Sequence, residues 1–365
     1  MSVKKIKLND ITFGADELFL ITGPCVIEEE SIMMRTAEKI KEVTSKLNIP
    51  TVYKSSFMKD NRSSVDYYVG PGTEEGLRIL EKVKKEFDFS LVTDIHFPGH
   101  VDQVADVVDV LQIPAYLAMQ TSLLTAAGNT GKIVNLKHPQ FLAPENMGKP
   151  AAKVASTGND QILLTERGYV FGYNDLIVDP RSFYEMRQTG YPVIFDVTHS
   201  IRKYGIPSAD PNGGARQYLE TLARAGVASG IDGLFVETHP CPNEALCDAA
   251  SQLDMNDLEE FLNGEGSERK NFQGLNKIIE QKEIMFRPLK DEFYCLLLQY
   301  AILADNKYIV LKNLLSLYES VSEEYIKGEY SAYLATRRNS KLVYFENHLM
   351  RNIEDAIWKN GFYQI

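Results

Sequence analysis

The chain has 365 residues, a net charge of −11, 44% hydrophobic and 24% charged residues. That is an ordinary globular composition, and its acidity argues against nucleic acid or an anionic membrane as the main partner. No stretch approaches the roughly 18 apolar residues of a membrane helix. The start, Met1 to Ile6, has basic residues with no apolar run behind them, which predicts no secretory leader. The four cysteines, Cys25, Cys241, Cys247 and Cys295, are too few and scattered for a disulfide framework, which points to a reducing cytoplasm.

In chain order, Lys5–Thr12 alternates loosely around Asn9-Asp10 and predicts a hairpin. Eight short apolar runs follow, each ending in a polar or reactive residue. Leu18–Ile21 leads to Gly23-Pro24-Cys25, Thr51–Tyr53 to Lys54, Phe89–Val92 to Asp94 and His96, and Val107–Leu111 to Gln112. Ile133–Leu136 leads to Lys137, Ile162–Leu164 to Glu166-Arg167, Tyr191–Phe195 to Asp196 and His199, and Ile231–Val236 to Glu237. Buried parallel strands that deliver polar side chains at their carboxyl ends read this way, and eight of them predict a (β/α)8 TIM barrel. Helices are predicted at Glu28–Leu47, Glu74–Phe87, His100–Val108, Met119–Gly128 and Arg216–Ala228, with the last barrel helix at Asn271–Lys282. The segment Ser200–Gly214 is long and rich in Gly and Pro, which predicts a lid. From Glu283 the strand-like runs stop. Phe293–Leu303, Tyr308–Tyr325 and Leu342–Trp358 read as helices of a C-terminal appendage, giving a barrel domain over 1–282 and an extension over 283–365.

Two constellations carry chemistry. Cys25, His199, Glu237 and Asp248 offer a thiolate, an imidazole and two carboxylates, a set suited to divalent Zn, Fe, Mn or Co. Only the barrel makes them neighbours; otherwise Cys25 is a small buried hydrophobe and His199 a hydrogen-bonded strand-end residue. Lys54, Lys59, Arg62, Lys137 and Arg167 place cations on the rim of an acidic protein, beside the hydroxyls of Ser55, Ser56, Ser63 and Ser64. That pattern predicts an anion site for phosphates and carboxylates; the alternative is a set of solvated surface charges. Asp94 and His96 lie two apart on one face of a strand, where they can orient a hydroxyl or water. His138, His239, Cys241 and Cys247 read as packing or loop residues.

Gly23-Pro24-Cys25, Lys54-Ser55-Ser56-Phe57, Asn61-Arg62-Ser63-Ser64, Thr93-Asp94-Ile95-His96, Gln112-Ile113-Pro114-Ala115, Asn135-Leu136-Lys137, Thr165-Glu166-Arg167-Gly168, Phe171-Gly172-Tyr173, Phe195-Asp196-Val197-Thr198-His199 and Glu237-Thr238-His239-Pro240 together resemble the 3-deoxy-D-manno-octulosonate 8-phosphate synthase family. The resemblance covers roughly Lys5 to Lys282. It implies a homotetrameric barrel enzyme of lipopolysaccharide biosynthesis that condenses phosphoenolpyruvate with D-arabinose 5-phosphate. Cys25 places the chain with the metal-using branch, with His199, Glu237 and Asp248 as the other ligands. Carried over, Lys54, Lys59, Lys137 and Arg167 would hold phosphoenolpyruvate, assisted by Ser56 and Gln112. Asn61, Arg62 and Ser63 would hold the pentose phosphate, and Asp94 and His96 would line the reacting centre beside His199. There are departures from the family pattern. Met119 stands where the family has an arginine, Asp60 adds a carboxylate to the sugar-phosphate loop, and His138 replaces a lysine. They motivate two other readings: a synthase for a different aldose phosphate, and a weakly active barrel that serves as a scaffold through its tail.

Overall fold

Strand β1 (Ile6–Leu8) pairs antiparallel with β2 (Ile11–Phe13) across Asn9-Asp10, Asn9 taking a left-handed φ of 50°. The eight barrel strands are β3 (Phe19–Gly23), β4 (Thr51–Lys54), β5 (Ser90–Asp94), β6 (Val110–Ile113), β7 (Ile133–Lys137), β8 (Ile162–Glu166), β11 (Val193–Asp196) and β12 (Gly233–His239). All neighbours are parallel, and β12 pairs with both β11 and β3, which closes the barrel. Between β8 and β11 a small antiparallel pair is formed by β9 (Tyr169–Val170) and β10 (Leu176–Ile177); β13 (Leu253–Asp254) adds to the end of β12. The computed structural model describes residues 3–263 apart from 63, 171–175, 204, 208, 209 and 211. They belong to one unit, Met1–Glu268. The expected helices Asn271–Lys282, Phe293–Leu303, Tyr308–Tyr325 and Leu342–Trp358, and the boundary at 282/283, lie outside the described residues.

Strand alternation explains why this barrel carries a site. Ile21, Val52, Val92, Val110, Ile133, Leu163, Ile194 and Phe235 pack together inside the barrel with Phe19 and with Ile6, Ile11 and Phe13 of the hairpin. The hairpin therefore stoppers the amino-terminal end. Two residues further along each strand, on the same face, stand Gly23, Lys54, Asp94, Gln112, Asn135, Thr165, Asp196 and Glu237. One layer is apolar and the next is polar. On the opposite face of the strands, Leu20, Tyr53, Leu91, Leu111, Val134, Leu164, Phe195 and Val236 join the core between strands and helices. Gly233 is needed for this packing, since a Cβ there would lie 2.3 Å from the Phe19 ring.

The outer layer comprises α1 (Glu30–Leu47), α2 (Thr73–Phe87), α3 (Val101–Ala105), α4 (Thr121–Asn129), α5 (Gly148–Ala155), α6 (Arg181–Arg187), α7 (Val197–Ser200), α8 (Leu219–Ala228) and α9 (Leu258–Asn263). In α1 the buried Met33, Ala37, Ile40 and Val43 recur at helical spacing, and Asn48 ends it with a left-handed φ of 54°. α2 has Glu74 and Glu75 in its first turn and Lys84 and Lys85 in its last, each favourable to the helix dipole.

Several elements differ from expectation. α3 is shorter than His100–Val108, because Val107 and Val108 fold back on Val104 O, and β6 then starts at Val110 rather than Val107. α4 begins two residues later than Met119. Arg216–Tyr218 is a 3-10 turn ahead of α8. α5 and α6 bury only a few apolar residues each, too few for a periodic signal. After β13, α9 at Leu258–Asn263 was not expected, and Asp254 accepts from Asn256 N at 2.9 Å in the turn ahead of it. The expected lid is tied at its base by an antiparallel bridge between Arg202 and Gly214. Among the described residues no helix is long and apolar enough to cross a membrane.

Candidate active site

Cys25 lies two residues beyond the end of β3. Gly23 precedes it with φ +149°, and a Cβ there would lie 2.1 Å from Lys54 O, so only glycine allows the two strand ends to approach so closely. The Cys25 amide donates to Gln252 Oε1 (3.1 Å), and Gln252 Nε2 donates to Cys247 O (2.8 Å). Gln252 thus ties the end of β3 to the loop that bears Asp248. Asp248 takes a left-handed φ of 49°, a conformation that aspartate tolerates better than most residues. Its Oδ2 lies 3.3 Å from Cys25 Sγ and 3.4 Å from His199 Nε2.

His199 sits in α7, one turn beyond the strand rather than at its end. Asp196 caps that turn by accepting from His199 N (3.0 Å), and its other oxygen faces His199 Nδ1 at 2.8 Å. The ring is thereby oriented with Nε2 toward Asp248 and toward Glu237 Oε2 at 3.8 Å, an arrangement typical of a carboxylate behind a ligating histidine. Burial opposes a positive His199, but Asp196 and Glu237 outweigh it and raise its pKa. Burial, Cys247 and Glu237 push the Cys25 thiol well up. Two carboxylates, an imidazole and a thiol converge here, and Glu237 Oε2 is buried without a hydrogen-bond partner. Such an acceptor-rich, under-satisfied pocket fits a divalent cation. The predicted ligands fall into two groups that share Asp248, one with Cys25 and Cys247 and the other with His199 and Glu237.

Three lysines are buried beside it. Lys54 Nζ donates to Glu237 Oε1 (2.5 Å) and Cys25 O (2.9 Å). Lys59 Nζ donates to Asp94 Oδ2 at 3.1 Å. Lys137 Nζ pairs with Asp196 and lies 3.7 Å above the centre of the Phe235 ring. Burial lowers the Lys137 pKa, with Asp196 opposing. Burial also works against Asp94 ionising, yet Lys59 and Lys54 hold its carboxyl well below the usual range. Asp94 further accepts from Ser56 Oγ and from Gln112 Nε2 (2.6 Å). The chain continues through Asn135 to Thr165. Arg167 is nearly buried, with Nη1 lacking a partner and Nη2 3.5 Å from His199 O. Glu166 braces it by accepting from the Arg167 and Gly168 amides.

Not every predicted residue joins this group. Arg62 turns to Cys247 Sγ (2.7 Å) and Leu246 O. Asn61 lines a separate cavity of about 580 Å³ with Asp60, His96, Gln120, Thr121 and Ser122. His96 is buried there with neither ring nitrogen hydrogen-bonded. Ser63 lies outside the described residues. His138 is fully buried between Glu166 (3.1 Å) and Leu142 O (2.5 Å), a bracing role. Cys241 is exposed. Cys247 is more than a packing residue, because its sulfur lies 2.9 Å from Cys25 Sγ. Its adjacency to Asp248 in sequence was the available signal. Neighbours normally point apart, and here the left-handed Asp248 brings both to one place. Asp196 and Gln252 were not predicted as site residues either.

Residues 3–272 match the DAHP synthetase I family. The chain belongs to that family. Within the DAHP synthetase I family it is similar to the 2-dehydro-3-deoxyphosphooctonate aldolase of Syntrophotalea carbinolica, 50% identical over 258 residues, which is 70% of this chain and 93% of the relative. The protein of that name from Pelobacter propionicus is 48% identical over 260 residues, 71% of this chain and 95% of the relative. That from Shewanella amazonensis is 48% identical over 263 residues, 72% of this chain and 93% of the relative. The resemblance carried by the sequence motifs and the expected barrel both hold.

Proposed function

We propose that the chain condenses phosphoenolpyruvate with D-arabinose 5-phosphate and water, giving 3-deoxy-D-manno-octulosonate 8-phosphate and inorganic phosphate, a transferase step of KDO and lipopolysaccharide biosynthesis. The observation that carries this reading is the set of buried lysines Lys54, Lys59 and Lys137 beside the Cys25, His199, Glu237 and Asp248 cluster. In the reaction the C3 of phosphoenolpyruvate bonds to the aldehyde carbon, water oxygen bonds to C2, and the C2–O bond to phosphate breaks. Lys54, Lys59, Lys137 and Arg167 neutralise the carboxylate and phosphate and fix their orientation, with Ser56 and Gln112 holding Asp94 in place. Asn61, Arg62 and Ser63 serve the pentose phosphate. Asp94 faces the reacting centre, with His96 reaching it from the side of the Asn61 cavity. A divalent ion held by Cys25, His199, Glu237 and Asp248 would supply Lewis acidity to the aldehyde or water oxygen. Homotetrameric assembly in the cytoplasm completes the reading.

The test is phosphate release with phosphoenolpyruvate and a panel of aldose phosphates. Arabinose 5-phosphate is expected to give the highest kcat/KM. If erythrose 4-phosphate did as well, the second reading, a different aldose, would replace it; Met119 and Asp60, the latter on the lining of the Asn61 cavity, motivate that reading.

Metal affinity is expected to fall as pH falls. The Cys25 thiol is pushed up by burial, and only its thiolate ligates. Binding therefore releases at least one proton, and apparent affinity should drop by at least about tenfold per pH unit below the thiol pKa. Chelator competition at several pH values measures this; a flat profile would remove Cys25 from the ligand set.

A further inference from the structure

Cys25 Sγ and Cys247 Sγ are 2.9 Å apart, and both are free thiols buried from solvent. That is closer than the roughly 3.5–4.0 Å at which even smaller carbon atoms make optimal contact. The two sulfurs face each other within hydrogen-bond reach. Cys247 Sγ, Cys25 Sγ and an Asp248 oxygen all lie within 4.8 Å of one another, and Asp248 is also a member of the His199 and Glu237 group. Arg62 Nη1 donates to Cys247 Sγ at 2.7 Å. Gln252 holds the two cysteine-bearing segments together through the Cys25 amide and Cys247 carbonyl.

We propose that Cys247 is a second thiolate donor to the ion of the candidate metal centre. The inference rests on the proposed metal reading and deepens it. On binding, both S–H bonds break, both protons go to solvent, and two metal–sulfur bonds form. A second soft donor shifts the site toward zinc, cobalt or iron(II) and away from manganese and magnesium. It also links the metal to the loop of Arg62.

X-ray absorption of the zinc-loaded full chain reads this directly. The unaltered protein should show two sulfur neighbours at about 2.3 Å, and Cys247→Ser one. Calorimetry in buffers of different ionisation enthalpy should find about one proton fewer released by Cys247→Ser than by the unaltered protein. The variant's preference for zinc over manganese should fall at least about tenfold. One sulfur in the unaltered protein overturns the proposal and leaves the metal centre standing. Failure to retain any ion would remove the metal centre itself. The sulfur count of the unaltered protein decides the matter even if the variant folds poorly.

Discussion

Glu237→Gln is expected to remove most bound metal and most activity. Glu237 is fully buried, gives Oε1 to Lys54 at 2.5 Å and leaves Oε2 to the cluster. Glutamine keeps the shape and one acceptor but loses the charge that both Lys54 and a cation need. Loss of a ligand should weaken metal affinity by more than about 100-fold, beyond the 10–100-fold of an outer-shell change. Breaking a buried ion pair costs about 3–5 kcal/mol, because Lys54 is left charged and unpaired; for a domain of this size that is roughly 6–20 °C in Tm. Metal analysis and thermal unfolding of the metal-free forms separate the two effects. Unchanged metal content would take Glu237 out of the ligand set, and an unchanged Tm would mean that the pair with Lys54 contributes nothing.

Lys137→Met should strike substrate rather than metal. Lys137 is buried above Phe235 with Asp196 as its carboxylate partner. Methionine keeps the stem and places a thioether near the ring, a favourable contact. Asp196 retains His199 as a partner. If Lys137 neutralises the phosphoenolpyruvate anion, removing that buried contact costs about 2–5 kcal/mol, which is about 30- to 5,000-fold in kcat/KM for phosphoenolpyruvate. The KM for the aldose and the metal content should change little. An unaltered kcat/KM for phosphoenolpyruvate would show that Lys137 is a structural ion pair.

The barrel was legible because each strand carries its own evidence: an apolar residue inside, then a polar one two positions on, as in Val52 and Lys54 or Phe235 and Glu237. Large separations in sequence did not hide Cys25 from Asp248, since strand ends of a closed barrel must converge. What was not legible depends on local backbone. The left-handed Asp248 turns Cys247 inward, and the one-turn α7 lifts His199 off its strand so that Asp196 can cap and orient it. The direction of Arg62, toward Cys247 and away from the Asn61 cavity, depends on loop geometry that residue type does not encode. Short helices such as α5 and α6 bury too little to leave a period.

Among the described residues, Ile6, Ile11 and Phe13 plug the floor of the barrel, and the barrel is in effect a vessel closed at its base. A guest that reaches the polar layer then comes from the strand carboxyl ends, where the loops bear His96, Asn61 and Arg202. A molecule seated against Lys54 or Lys137 is corked in by whatever follows it. Clearing that neck, rather than making or breaking bonds at the bottom, can then set the pace of turnover.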